Sequence, residues 1–116
     1  MFSVIFFKTD AGNEPVREWL RALSAEERAV IGADLRTVQI GFPLGMPLCR
    51  PLGSRLYEVR SSLPTKQEAR LIFFQDVETL VVVCGFIKKT KTTPENELKS
   101  ARKRQSAYKK NKEALK

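Results

Sequence analysis

The stretch "RLYEVRSSLPTKQEARLIFFQDVETLVVVCGFIK", Arg55 to Lys88, decides the architecture. It holds three runs of β-branched and aromatic residues, "RLYEVRS", "EARLIFFQ" and "TLVVVCGFIK". The first two are separated by "SLPTKQ" and the last two by "DVE", connections of hairpin length. Three strands so joined form an antiparallel meander. The end of the first, the start of the second and the end of the third then meet at one edge.

Outward from the meander, "FSVIFF" predicts a further strand over Phe2–Phe7. Asn13 is a candidate N-cap and Pro15 suits a first helical turn. Val16, Trp19, Leu20 and Leu23 follow at the i, i+3, i+4, i+7 spacing of an amphipathic helix. That stripe assigns Trp19 to core packing rather than to base stacking. Ser24 and Glu27 stand at capping-box spacing before a second helix. It has Ile31, Leu35 and Val38 inward, runs to about Ile40 and stops at Gly41. Helices joined so closely form an antiparallel hairpin.

"GFPLGMPLCRPLG", with three prolines and three glycines, predicts an ordered loop. "TPENELKSARKRQSAYKKNK" predicts a last helix, with Thr92 or Thr93 as cap and Pro94 at its start. Leu98, Ala101 and Gln105 form its inward stripe. The expectation is one α+β domain over 1–116, ordered β-α-α-β-β-β-α. It has a small twisted antiparallel sheet, an N-terminal helix hairpin and a C-terminal helix, with 111–116 as a basic tail.

The net charge of +8 is unevenly placed. Residues 1–87 carry ten basic and ten acidic side chains, whereas 88–116 carry eleven and three. A neutral body with one basic end points to a polyanionic partner or to a solvated tail. There is no histidine, which removes Ser-His-Asp and Cys-His catalysis and the usual zinc sites. Neither a P-loop nor a GxGxxG is present, so no nucleotide cofactor has a visible cradle. Cys49 and Cys84, without neighbouring ligands, suit a reducing cytoplasm. The apolar N-terminus lacks a basic start and a cleavage site, and no run of ~18 apolar residues occurs. The chain is thus expected to be cytoplasmic and to have no membrane partner.

Any chemistry falls to Arg, Lys, Glu, Asp or Tyr. Strand alternation puts Leu56, Glu58 and Arg60 on one face, and Arg70, Ile72 and Phe74 on one face. It likewise groups Val82, Cys84, Phe86 and Lys88 against Val83, Gly85, Ile87 and Lys89. Arginines in apolar strands must be paired or solvated. One reading pairs Glu58 with Arg60 or Arg70 at a wet sheet edge. The other makes Arg60, Arg70, Lys88, Lys89 and Lys91 a phosphate-binding groove, since the meander brings them to one edge. Arg60 and Arg70 would grip and stabilise the phosphate, and a lysine or Glu58 would exchange a proton. Lys99, Arg102, Lys103 and Arg104, on the last helix, would hold the backbone of a polyanionic partner.

"PLGSRLYEVRS", "ARLIFF" and "LVVVCGFIKKTKTTPENELKSARKR" resemble the RelE/ParE superfamily of toxins, and most of all its phage-derived, HigB-like branch. The resemblance runs over roughly residues 2–108 and covers the helix hairpin. It implies a toxin of a type II toxin–antitoxin pair, an mRNA endoribonuclease that often acts in the ribosome and inhibits translation. It needs no cofactor, and its partner antitoxin is a helix-turn-helix protein. By position, Arg60 and Arg70 match the basic strand residues of the RelE site. Lys88, Lys89 and Lys91 stand where its basic cluster ends the last strand. Glu58 lies in the branch's "E-(V/L)-R" motif. The late active-site tyrosine has no counterpart, Tyr108 lying too far along. A ParE-like toxin acting on DNA gyrase, or a non-catalytic RNA-binding module, are the alternatives.

Overall fold

A computed structural model of the chain describes residues 1–43, 48–88 and 92–114. Its elements are β1 (Ser3–Phe6), α1 (Pro15–Arg21), α2 (Ala25–Gly41), β2 (Cys49–Gly53), β3 (Leu56–Ser62), β4 (Glu68–Asp76), β5 (Thr79–Ile87) and α3 (Glu95–Ala114). The sheet order is β1-β5-β4-β3-β2. The α+β class, the helix hairpin, the meander and the C-terminal helix are as expected. The sheet has one strand more than foreseen and is mixed, because β1 pairs with β5 in parallel.

The extra strand, β2, takes the end of the segment expected to be a loop. It pairs antiparallel with β3, with Cys49 opposite Val59 and Arg50 opposite Glu58. Pro51 is tolerated because an edge strand leaves one side without a ladder partner. The turn into β3 places Ser54 (φ 54°) and Arg55 (φ 63°) in the left-handed region. Residues 44–47 lie outside the described residues.

At the helix starts, Ser24 Oγ accepts from the Glu27 amide at 3.1 Å, and the Ser24 amide donates to Glu27 Oε1 at 2.9 Å. This is the expected capping box. Glu14, not Asn13, is the N-cap of α1, with no side-chain bond there. The Asn13 amide instead donates to Thr9 Oγ1.

Both sheet faces are covered. The helix hairpin packs Val16, Ile31 and Val38 against Val59, Leu71, Phe73 and Val82. Helix α3 covers Leu56, Ile72, Phe74, Val83, Cys84 and Phe86 with Ala101. Trp19 belongs to the hairpin side, as its stripe indicated. It lies so close to Gly85 that a Cβ there would meet its ring at 2.7 Å. The alternation expected for β5 fails at one point. Ile72 pairs with Cys84 but Phe73 pairs with Val82, so Val83 is an inserted residue. Val83 therefore joins Cys84 and Phe86 on the α3 side, and Val82 faces the hairpin, opposite to the expectation.

Candidate active site

Arg60 on β3 and Arg70 on β4 are directly opposed partners. Like charges opposed across a ladder repel, so the pair needs carboxylates nearby. Glu58, two residues before Arg60 on the same face, supplies one. Its Oε1 lies 3.2 Å from Arg60 Nε and 3.3 Å from Arg70 Nη1, and its Oε2 accepts from Thr93 Oγ1 at 2.7 Å. Glu68, at the start of β4, supplies the other: Oε1 accepts from Arg70 Nε at 3.0 Å and stands 3.8 Å from Lys88 Nζ. The Lys88 amide also donates to the Glu68 carbonyl at 2.8 Å. The Thr93 hydroxyl, expected to cap α3, is instead the bond that fastens the helix entry to Glu58.

The meander thus brings Arg60, Arg70 and Lys88 together as expected, but as one layer of an ion-pair network. Lys89 and Lys91 lie outside the described residues. Two expectations need correction. Glu58 has no exposed surface, so it is neither at a wet edge nor free to accept a proton from a substrate. Arg70 is equally enclosed, so it cannot grip a phosphate as placed. It lies on an interior strand, and the Glu58 carboxylate it shares is tied to the α3 entry by Thr93. Arg70 Nη2 has no hydrogen-bond partner among the described residues. Glu68 is a member of the cluster beyond those expected. Its signal was available, since it shares the Arg70 face at the strand period of two.

Arg60 differs from Arg70. Its side chain is 18% exposed. Nε is held by Glu58, and among the described residues its terminal nitrogens have no recorded partner. It borders a groove of ≈ 410 Å³ whose described lining is Val30, Asp34, Leu48, Arg60, Ser62 and Glu68. Among the described residues both ion pairs of Glu68 use Oε1, and Oε2 has no partner. A guanidinium and a half-open carboxylate therefore line one groove, with the Lys88 ammonium beside that carboxylate.

On α3, Lys99 and Lys103 are exposed, and Arg102 pairs with Glu95 at 3.0 Å. Arg104 is not the backbone-binding residue expected. It turns inward and donates to the Val83 carbonyl at 2.6 Å, with Cys84 Sγ at 3.6 Å. The bulge puts Val83 out of register with β4, and the guanidinium meets that carbonyl. Burial pushes the Cys84 thiol up to about 11, with Arg104 opposing in part. Burial likewise raises Cys49, and both cysteines are free. Tyr108 donates to Asp76 Oδ2 at 2.7 Å, as does Lys112. Asp76 ends β4 whereas Glu68 begins it, which separates Tyr108 from the cluster by roughly 25 Å at the strand rise.

The family described as phage derived protein Gp49-like (DUF891) matches residues 18–106. The chain belongs to this Gp49-like family. No curated protein matches it. The Gp49-like match runs from α1 into α3 and so contains every described residue of the charged cluster and of its groove. Among the described residues, no helix is long and apolar enough to cross a membrane.

Proposed function

We propose that this Gp49-like protein is the toxin of a type II toxin–antitoxin pair and cleaves mRNA without a metal, on or near the ribosome. A helix-turn-helix antitoxin would be its partner. Membership of a phage-derived family is compatible with such a toxin. The observation that carries the reading is the Arg60 guanidinium, anchored through Nε to buried Glu58 and part of the lining of the groove. A fork fixed in this way is suited to a phosphodiester.

RNA supplies its own nucleophile, so the protein need only orient, neutralise and move protons. Arg60 would hold the scissile phosphate and stabilise the charge of the transition state. Glu68 Oε2 would accept the proton of the attacking 2′-hydroxyl as the 2′-oxygen–phosphorus bond forms. Lys88 would give a proton to the departing 5′-oxygen as the other bond breaks. The products are a 2′,3′-cyclic phosphate and a 5′-hydroxyl. Glu58 and Arg70 would act beneath this layer by positioning Arg60 and Glu68. Lys99 and Lys103, exposed on α3, would attract flanking phosphates.

Expression from a tightly controlled promoter tests the reading. Growth arrest with fragmented mRNA is expected, relieved by Arg60→Ala and by Glu68→Gln in proteins that remain folded. Arrest with DNA-damage signalling and intact mRNA would replace the reading with a gyrase-directed one. Tight, salt-sensitive RNA binding without cleavage would leave only a binding module.

A further inference from the structure

The same groove has a side that the phosphate chemistry does not use. Opposite the Arg60 rim, helix α2 contributes Val30 and Asp34, and Leu48 closes the apolar part. Asp34 has no recorded hydrogen bond or ion pair among the described residues, although basic residues outnumber acidic ones 21 to 13 in the chain. A carboxylate there repels a phosphate and invites an N–H donor. Apolar walls beside it fit a flat ring, and ≈ 410 Å³ is ample for one nucleobase. Unstacked bases of single-stranded RNA present their Watson–Crick edges to such pockets.

We infer that this groove is a base-reading subsite, in which Asp34 selects a nucleobase carrying an exocyclic amino group over uracil. The inference rests on RNA being the ligand at this edge, as proposed above. Adenine, cytosine and guanine each offer an amino donor on the Watson–Crick edge. Uracil offers a single N–H flanked by two carbonyl oxygens, which the Asp34 carboxylate repels. Val30 and Leu48 pack on the ring, and Arg60 holds the adjoining phosphate. Asp34 is a specificity residue here and takes no part in bond making.

Binding of 2′-O-methyl oligonucleotides, which lack the nucleophile, separates recognition from cleavage. The full-length protein is titrated with oligouridylates carrying one central adenine, cytosine, guanine or uracil, followed by fluorescence anisotropy. The amino-bearing bases should bind about tenfold more tightly than uracil, the size of one good base-edge contact. Amide shifts of Val30, Asp34 and Leu48 in NMR spectra should move only with those bases. Asp34→Asn, whose amide can donate to uracil O4, should abolish or reverse the ranking with the melting temperature unchanged. Equal affinity for all four bases, no binding, or an unchanged ranking in Asp34→Asn would overturn the assignment. Cleavage assays on ordinary RNA stand apart: base preference without cleavage removes the nuclease and keeps the subsite, and cleavage without preference does the reverse.

Discussion

Arg60 and Arg70 sit opposite one another, share Glu58, and yet are placed for different tasks. The strand period shows that both face the same way. It does not show depth. The Thr93–Glu58 bond ties the α3 entry to the carboxylate that fully buried Arg70 shares, whereas Arg60 lies nearer the edge strand and stays partly exposed. The carboxylates were legible in part: Glu58 from its place two residues before Arg60, and Glu68 from the same spacing before Arg70 at the head of "EARLIFFQ". A fully buried charge pair is most sensitive to losing one member, because the other remains desolvated. Glu58→Ala should cost about 3–5 kcal/mol in urea unfolding, since Arg70 loses its buried counter-ion. Arg60→Ala should cost clearly less, because Glu58 keeps Arg70 and Thr93. Equal losses would mean that the two arginines are not divided between support and rim.

At the level of elements, the helices were readable because each carries its own signals: the Ser24–Glu27 box, the Pro15 start and an apolar stripe. The β5 strand was not readable in the same way. "LVVVC" is apolar on both faces, so no change of polarity marks the inserted Val83. Strand β2 escaped notice because its proline and glycine read as loop, and its pairing partner lies across a turn of left-handed residues. The bulge also explains why Arg104, read as a surface cation, points inward. Arg104→Ala should leave the Val83 carbonyl without that donor and lower stability by about 1–3 kcal/mol. A thermal melt checks this, with the exposed neighbour Lys103→Ala as the control that leaves it unchanged.

Across the whole molecule, α3 is fastened at both ends, by Thr93 to Glu58 and by Tyr108 and Lys112 to Asp76. The far fastening responds to pH. Lys112, and then Tyr108, hold the Asp76 carboxyl below its ordinary 3.8. A depressed carboxylate stabilises the fold above its unfolded value, and that contribution disappears as pH falls through the folded value. Burial, and then Asp76, push the Tyr108 phenol from 10 up to about 12. A raised phenol favours the fold below its ordinary value and loses that contribution as pH climbs from 10 towards 12. Urea unfolding of the wild type against Asp76→Asn should therefore differ most near neutrality and converge at acid pH. Tyr108→Phe should flatten the part of the alkaline decline that belongs to the phenol. Curves that stay parallel from pH 2 to 7 would show that Asp76 does not anchor the helix.

Helix α3 supplies one wall of a core as well as half of the excess charge, and those two roles cannot be separated by cutting. Ala101 and the base of Tyr108 lie on Ile72, Phe74 and Val83, so a chain shortened ahead of Glu95 would present a bare apolar sheet to solvent. Its positive charge can be tuned only side chain by side chain on the outer surface, at Lys99, Lys103, Lys109 or Lys110. Cohesion and charge are inherited together: a form of this protein stripped of that helix would be sticky and still positively charged.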